Sequence, residues 1–178
     1  MKGKYWGDVM KILLTTDLYK PTVNGVVTSI DTLKEELEEI GHEVKILTLA
    51  KTSHINEDKD VYTTPSFSVE KIYPGARFTL STDDSIYLDI LNWSPDIIHA
   101  NCEFSTFWIA RQFSKELDIP IVHTYHTVYE DYTHYFSPNK KWGEKLISLY
   151  SKHILNQVES VIAPTDKVKR LLEKYHIN

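Results

Sequence analysis

The sequence is poor in the features that would mark several protein classes. It has a single cysteine, Cys102, so no internal disulfide can form, and such usage fits a reducing compartment. No apolar run reaches the ~18 residues that a membrane-spanning helix needs, and the opening MKGKYWGDVM has no signal-peptide apolar region. Basic residues are in the minority, 20 Lys+Arg against 25 Asp+Glu, which gives a formal net charge of −5. That balance excludes the broad basic face of a general nucleic-acid binder, though not a small anionic ligand held by backbone amides. There is no G-x-G-x-x-G and no Walker loop, so a nicotinamide-dependent oxidoreductase is disfavoured. Internal repeats, low-complexity tracts and linkers are also missing.

What is present fits one globular domain with a proper core: 178 residues, 42% hydrophobic and 12% aromatic. The expectation is a soluble cytoplasmic domain over residues 10–178, with residues 1–9 ahead of Met10 as an N-terminal extension. Short apolar runs alternate with amphipathic segments, the signature of a parallel sheet with crossover helices. Strands are expected at Lys11–Thr15, Glu43–Thr48, Asp96–His99, Pro120–Thr124 and Ser160–Ala163. Most are continuously apolar, as strands covered on both faces should be. In the first helix Val26, Ile30, Leu33, Leu37 and Ile40 form one stripe, and Gly41 supplies a stop. Further helices are expected over Asp83–Asn92, Phe104–Leu117 (Phe104, Phe107, Ala110, Phe113 and Leu117 inward) and Lys141–Gln157. A last helix is capped by Thr165 and buries Val168, Leu171, Leu172 and Tyr175. Lys51–Leu80 reads as a short strand with long loops. The chain closes on a helix where an α/β protein would begin another strand, so more sequence is expected after Asn178.

In an open parallel sheet, ligands bind beyond the carboxyl ends of the strands. Four loops therefore compete: Asp17–Gly25, Ala100–Glu103, Tyr125–Asn139 and Pro164–Thr165. If their strands are neighbours, the loops converge on one cleft. Asn24 and Gly25 open a helix, where free amides and the dipole favour a phosphate or carboxylate; an ordinary strand-to-helix turn reads the same way. The stretch VHTYHTVYEDY concentrates His123, Tyr125, His126, Tyr129, Glu130, Asp131 and Tyr132. His126, just past its strand, should point into the cleft mouth, where it can orient a hydroxyl or accept a proton. The competing reading is a loop histidine with a structural hydrogen bond. A metal site on His123, His126 and His134 is disfavoured, since i and i+3 on a strand do not share a face and no Cys pair or H-E-x-x-H accompanies them. The fourth helix carries Lys140, Lys141, Lys145 and Lys152 against Glu144, with Trp142, Leu146 and Leu149 on one side and Ile147, Tyr150 and Ile154 broadening the apolar surface. Such a helix either lies on an anionic membrane or covers the core with a solvated basic back.

The segments KILLTTDLYKPTVNGVVTSIDTLKEELEEIGHEVKILT, PDIIHANCEFS, IPIVHTYHTVYEDYTHY and VIAPTDKVKRLLEKY carry a resemblance over about Met10–Asn178. In order and spacing the chain resembles the N-terminal domain of retaining glycosyltransferases of family 4. It is most similar to those that glucosylate diacylglycerol. The resemblance implies the N-terminal, acceptor-side half of a GT-B fold: a Rossmann-like α/β domain with a parallel sheet and helices on both faces. The nucleotide-sugar domain would be absent from this chain, which alone would be nearly inactive; a stand-alone sugar- or partner-binding module is the alternative. Also implied is transfer of a hexose, glucose foremost, from a nucleotide-sugar such as UDP-glucose to a lipid or glycan acceptor, with no obligatory metal or other cofactor. Asn24 and Gly25 would then lie near the donor diphosphate and sugar, and His126 would contact the sugar at the reaction centre. Glu103, Tyr129 and Glu130 would shape the acceptor side, and Thr165 would face the cleft between domains. The chain would be cytoplasmic and peripheral on the inner membrane face through Lys140, Lys141 and Lys145. It departs from the family in EFSTFWIA, where Phe107 and Trp108 stand in place of an early glycine.

Overall fold

The computed structural model describes residues 8–51, 54–55, 60–69, 76–126 and 139–177. Its elements run β1 (Lys11–Thr16), α1 (Gly25–Glu39), β2 (Glu43–Ala50), β3 (His54–Ile55), β4 (Val61–Pro65), β5 (Phe67–Ser68) and β6 (Arg77–Phe78). The chain continues with α2 (Asp84–Trp93), β7 (Ile97–Ala100), α3 (Ser105–Leu117), β8 (Ile121–Thr124), α4 (Lys140–Leu155), β9 (Ser160–Ile162) and α5 (Asp166–Lys174). The main sheet has the order β3-β4-β2-β1-β7-β8-β9. All its pairings are parallel except β3 with β4, and β5 and β6 form a separate small ribbon. The fold is the expected Rossmann-like α/β sheet.

Side-chain alternation along the strands divides the core in two. In β1, Ile12 and Leu14 join Val27 and Ile30 of α1, together with Val44, Ile46 and Val61. Leu13, between them, faces the opposite way, in the larger cluster with Leu47, Ile98, Ile90, Phe107, Phe113 and Ile154. A parallel strand covered on both sides needs apolar residues facing both ways, and Ile12, Leu13 and Leu14 of β1 supply them. Helix ends follow their capping residues. The Asn24 side chain accepts from Val27 N–H at the start of α1, and Gly41 (φ 95°) closes it. There His42 N–H bonds Leu37 C=O and Gly41 N–H bonds Glu38 C=O, the reciprocal pattern that a left-handed residue permits. Asp83 caps α2 through Ser85 N–H and Thr165 caps α5 through Val168 N–H.

Several expectations need correction. Within Lys51–Leu80 the expected short strand is β4, but it belongs to the main sheet, paired along β2 from Ile46↔Val61 to Ala50↔Pro65. Its run VYTTP is β-branched and aromatic rather than aliphatic, so threonines fill buried positions that a search for aliphatic runs passes over. On α1, Val27 is buried while Ile40, the C-cap residue, is exposed. Phe104 is partly exposed as the N-cap of α3 rather than an inward residue. The apolar surface expected on α4 divides: Trp142, Leu146 and Leu149 are exposed, and Ile147 and Ile154 face inward with Ser151 and Leu155.

Candidate functional site

The order β2-β1-β7-β8-β9 makes β1, β7, β8 and β9 consecutive neighbours, so the loops after them open along one edge. Connections leave β1 toward β2 on one side, whereas β7 adjoins its other side, so the β1/β7 boundary is the crevice of such a sheet. Register brings Thr15 beside Ala100, and Ala100 beside His123.

Each loop is locked to the next at this edge. After β1, Thr16 Oγ1 donates to Leu18 C=O and turns the chain, leaving Asp17 buried at 8% exposure. Asp17 Oδ1 accepts from Thr106 N–H at 2.8 Å. The N-cap residue of α3, Phe104, makes no side-chain cap bond, so the carboxyl that satisfies this helix start comes from another loop. Burial raises the pKa of Asp17 to about 6, against the lowering pull of the Thr106 and Cys102 bonds. After β7, Asn101 N–H donates to Thr15 C=O at 2.9 Å and its Nδ2 donates to His99 C=O at 3.1 Å. The other end of that amide, Oδ1, lies 3.0 Å from His126 Nε2. Cys102 Sγ and Thr106 Oγ1 are 2.9 Å apart, and burial pushes the thiol pKa up, away from nucleophile chemistry.

Glu103 turns inward. At 2% exposure its Oε1 lies 2.9 Å from Nε2 of His123, which is wholly buried. Its carbonyl accepts from Tyr150 Oη at 2.6 Å, joining the loop to α4. Burial first, and the Glu103 charge among lesser causes, raises the Tyr150 pKa to about 12, so the phenol stays a donor. His99 Nε2 bonds Thr124 Oγ1 at 2.7 Å, and burial lowers its pKa to about 4. Burial likewise lowers the pKa of His126, opposed by Glu103 and assisted by His123. His126 is therefore a neutral imidazole near neutral pH, suited to hydrogen bonding rather than to holding a charge.

Of the residues singled out from sequence, Glu103 and His126 come to the same loop cluster, one inside it and one at its mouth. Asn24 spends its side-chain oxygen on capping α1, at 2.9 Å from Val27 N–H. Gly25, the first residue of α1, is exposed, and among the described residues no atom outside its chain neighbours and its own helix backbone lies within 4 Å of where a Cβ would stand. Neither packing nor a positive φ calls for a glycine there, in contrast to Gly41. Thr165 is exposed beyond β9. Tyr129 and Glu130 lie outside the described residues, as do Asp131, Tyr132 and His134. Asn101 and Asp17 are site residues that sequence reasoning left without a role. Their signal was present, since both are polar residues directly after buried strands at the β1/β7 boundary.

The fold and these loops define a Rossmann-like domain whose polar machinery sits at the carboxyl edge of its sheet. The chain belongs to Glycosyltransferase Family 4, which it matches over residues 23–178. It is 38% identical over 176 residues to the alpha-monoglucosyldiacylglycerol synthase of Streptococcus pneumoniae, covering 94% of this chain and 38% of that protein. The Acholeplasma laidlawii protein of the same name is 33% identical, covering 89% of this chain and 42% of the relative. The chain thus spans about two-fifths of the length of these relatives. The fold is also similar to that of UDP-GlcNAc 2-epimerase from Methanocaldococcus jannaschii, with a TM-score of 0.53 at 13% identity over 94% of this chain and 42% of that one.

Two outcomes follow. Replacing Gly25 with Ala should leave stability unchanged or raise it by up to about 1 kcal/mol, because a helical glycine costs about that much relative to alanine. Thermal unfolding checks this, and a clear loss of stability would mean that the fold itself needs the glycine. Asp17 has a folded pKa of about 6, above its ordinary value of 3.8. Its ionisation therefore costs stability that is intact below pH 4 and falls as pH rises from about 4 to about 6, by up to roughly 3 kcal/mol. Urea titrations across that range should show this fall, reduced in Asp17→Asn.

Proposed function

We propose that this chain is the acceptor-side domain of a retaining glycosyltransferase that moves glucose from UDP-glucose to a diacylglycerol-like lipid. The observation that carries the reading is the polar cluster at the β1/β7 boundary, with neutral His126 at its mouth. Similarity to two alpha-monoglucosyldiacylglycerol synthases supports the sugar and the lipid class. A sugar offers hydroxyls, and a neutral imidazole held in one orientation suits hydroxyl recognition at the reaction centre. The exposed backbone at Gly25, with no side chain in the way, suits close approach of the donor diphosphate to the start of α1. Glu103, buried against His123, shapes the acceptor side by fixing its loop rather than by contact. Thr165, exposed at the head of α5, faces the second domain, and Tyr129 and Glu130 belong to the acceptor side. The domain spans residues 10–178, and residues 1–9 are an extension.

The lipid acceptor requires contact with a membrane, and no helix among the described residues is long and apolar enough to cross one. The exposed face of α4 suits peripheral contact on the inner leaflet. Trp142, Leu146 and Leu149 recur at i, i+4 and i+7 with 64%, 57% and 57% exposure, and Lys145 lies over the Trp142 ring. Lys141 is exposed beside them, and Lys140 begins the same helix. An apolar stripe flanked by lysines is the composition of a helix lying in an anionic interface.

In the intact enzyme, His126→Ala should lower glucosyl transfer by roughly ten- to a hundredfold while the unfolding midpoint hardly moves. Unchanged transfer would remove His126 from the reaction centre. Changing Lys140, Lys141 and Lys145 to Glu should weaken co-sedimentation with anionic liposomes by more than tenfold, at about 1 kcal/mol for each lysine near the surface. Unaltered binding would leave α4 outside the membrane contact.

A further inference from the structure

We infer that Asn101 is a positioning residue that locks His126 in the Nε2–H tautomer, so that Nδ1 is the atom His126 offers to a ligand, as a hydrogen-bond acceptor. The inference rests on the placement of His126 at the sugar in the proposed reaction, and it adds the direction in which that hydrogen bond must run.

The direction follows from the donors and acceptors around one amide. Asn101 is nearly fully buried, and its backbone N–H is held by Thr15 C=O at 2.9 Å. Its side-chain amide can be placed two ways, but one end faces His99 C=O at 3.1 Å. A carbonyl only accepts, so the NH2 must take that end and Oδ1 must take the other. Oδ1 lies 3.0 Å from His126 Nε2 and has no proton to give. Nε2 must therefore carry the hydrogen. In a neutral imidazole that leaves Nδ1 with a lone pair, and among the described residues no group donates to it. The register explains why the pair forms: Ala100 pairs with His123, so Asn101 and His126 both lie just beyond the ends of adjacent parallel strands.

The consequence is a selection of ligand chemistry. A lone pair at Nδ1 accepts from a hydroxyl and is repelled by the oxygens of a phosphate. His126 thus recognises a hydroxyl of the sugar, and the diphosphate must be held elsewhere, as proposed for the start of α1.

Imidazole nitrogen NMR on the intact 15N-histidine-labelled protein reads the tautomer directly, and His126→Ala assigns the signal. At pH 8 the wild type should show Nε2–H with an unprotonated Nδ1; an Nδ1–H tautomer would overturn the inference without any variant at Asn101. Asn101→Ala should mix the two tautomers and lower kcat about tenfold with KM nearly unchanged. Asn101→Asp keeps an acceptor oxygen and should retain Nε2–H and recover much of the lost rate. A tautomer unmoved in Asn101→Ala also overturns the inference. Should the tautomer move as expected while Asn101→Ala and His126→Ala both transfer at the wild-type rate, the lock stands and the placement of His126 at the sugar falls.

Discussion

The buried hydrogen bond between Glu103 and His123 is the constraint on which the carboxyl edge of the sheet depends. Both side chains are almost completely removed from water. A carboxyl group and an imidazole in such a place are costly unless they satisfy one another, and losing one partner strands the other. The bond spans from the loop after β7 to β8. The same Glu103 carries a second tie, from Tyr150 Oη to its carbonyl, so three elements meet at one residue. The loop between Ala100 and Ser105 is short and pinned at each step. Asn101 is held to β1, Cys102 to Thr106, and Glu103 to β8 and α4. A loop without slack can aim a neighbour, and Asn101 aims His126.

Asp17 extends the same logic across the crevice. By satisfying the start of α3 it couples the loop after β1 to the loop after β7, at the cost of keeping a carboxyl group buried. The elevated pKa records that cost. The opposite arrangement holds at α1, where the cap is local and the first helical residue is bare. The start of α3 is capped from another loop, and that of α1 by its own Asn24.

Much of the framework was legible in the sequence because it rests on local pattern. Continuous apolar runs at Lys11, Glu43, Ile97, Ile121 and Ser160 became the strands, and Asn24, Asp83 and Thr165 became caps. What the pattern missed was set by tertiary context. The threonines of β4 are buried by neighbours that no local window contains. The helical spacing of Trp142, Leu146 and Leu149 fits a membrane face or a core stripe alike, and only tertiary packing shows that the neighbouring face bearing Ile147, Ser151 and Ile154 holds the core contact. His126 was visible as a residue past a strand end. Asn101 has the same position after a strand, but its role was not legible, because it lies in two hydrogen bonds to residues 2 and 25 positions away.

The most direct test is a double-mutant cycle on Glu103→Ala and His123→Ala in the intact protein, followed by urea denaturation. The account predicts a coupling of about 1–3 kcal/mol, because the second substitution removes a partner already stranded by the first. Additivity within about 0.5 kcal/mol would mean that the pair does not hold the loop, and would contradict the account.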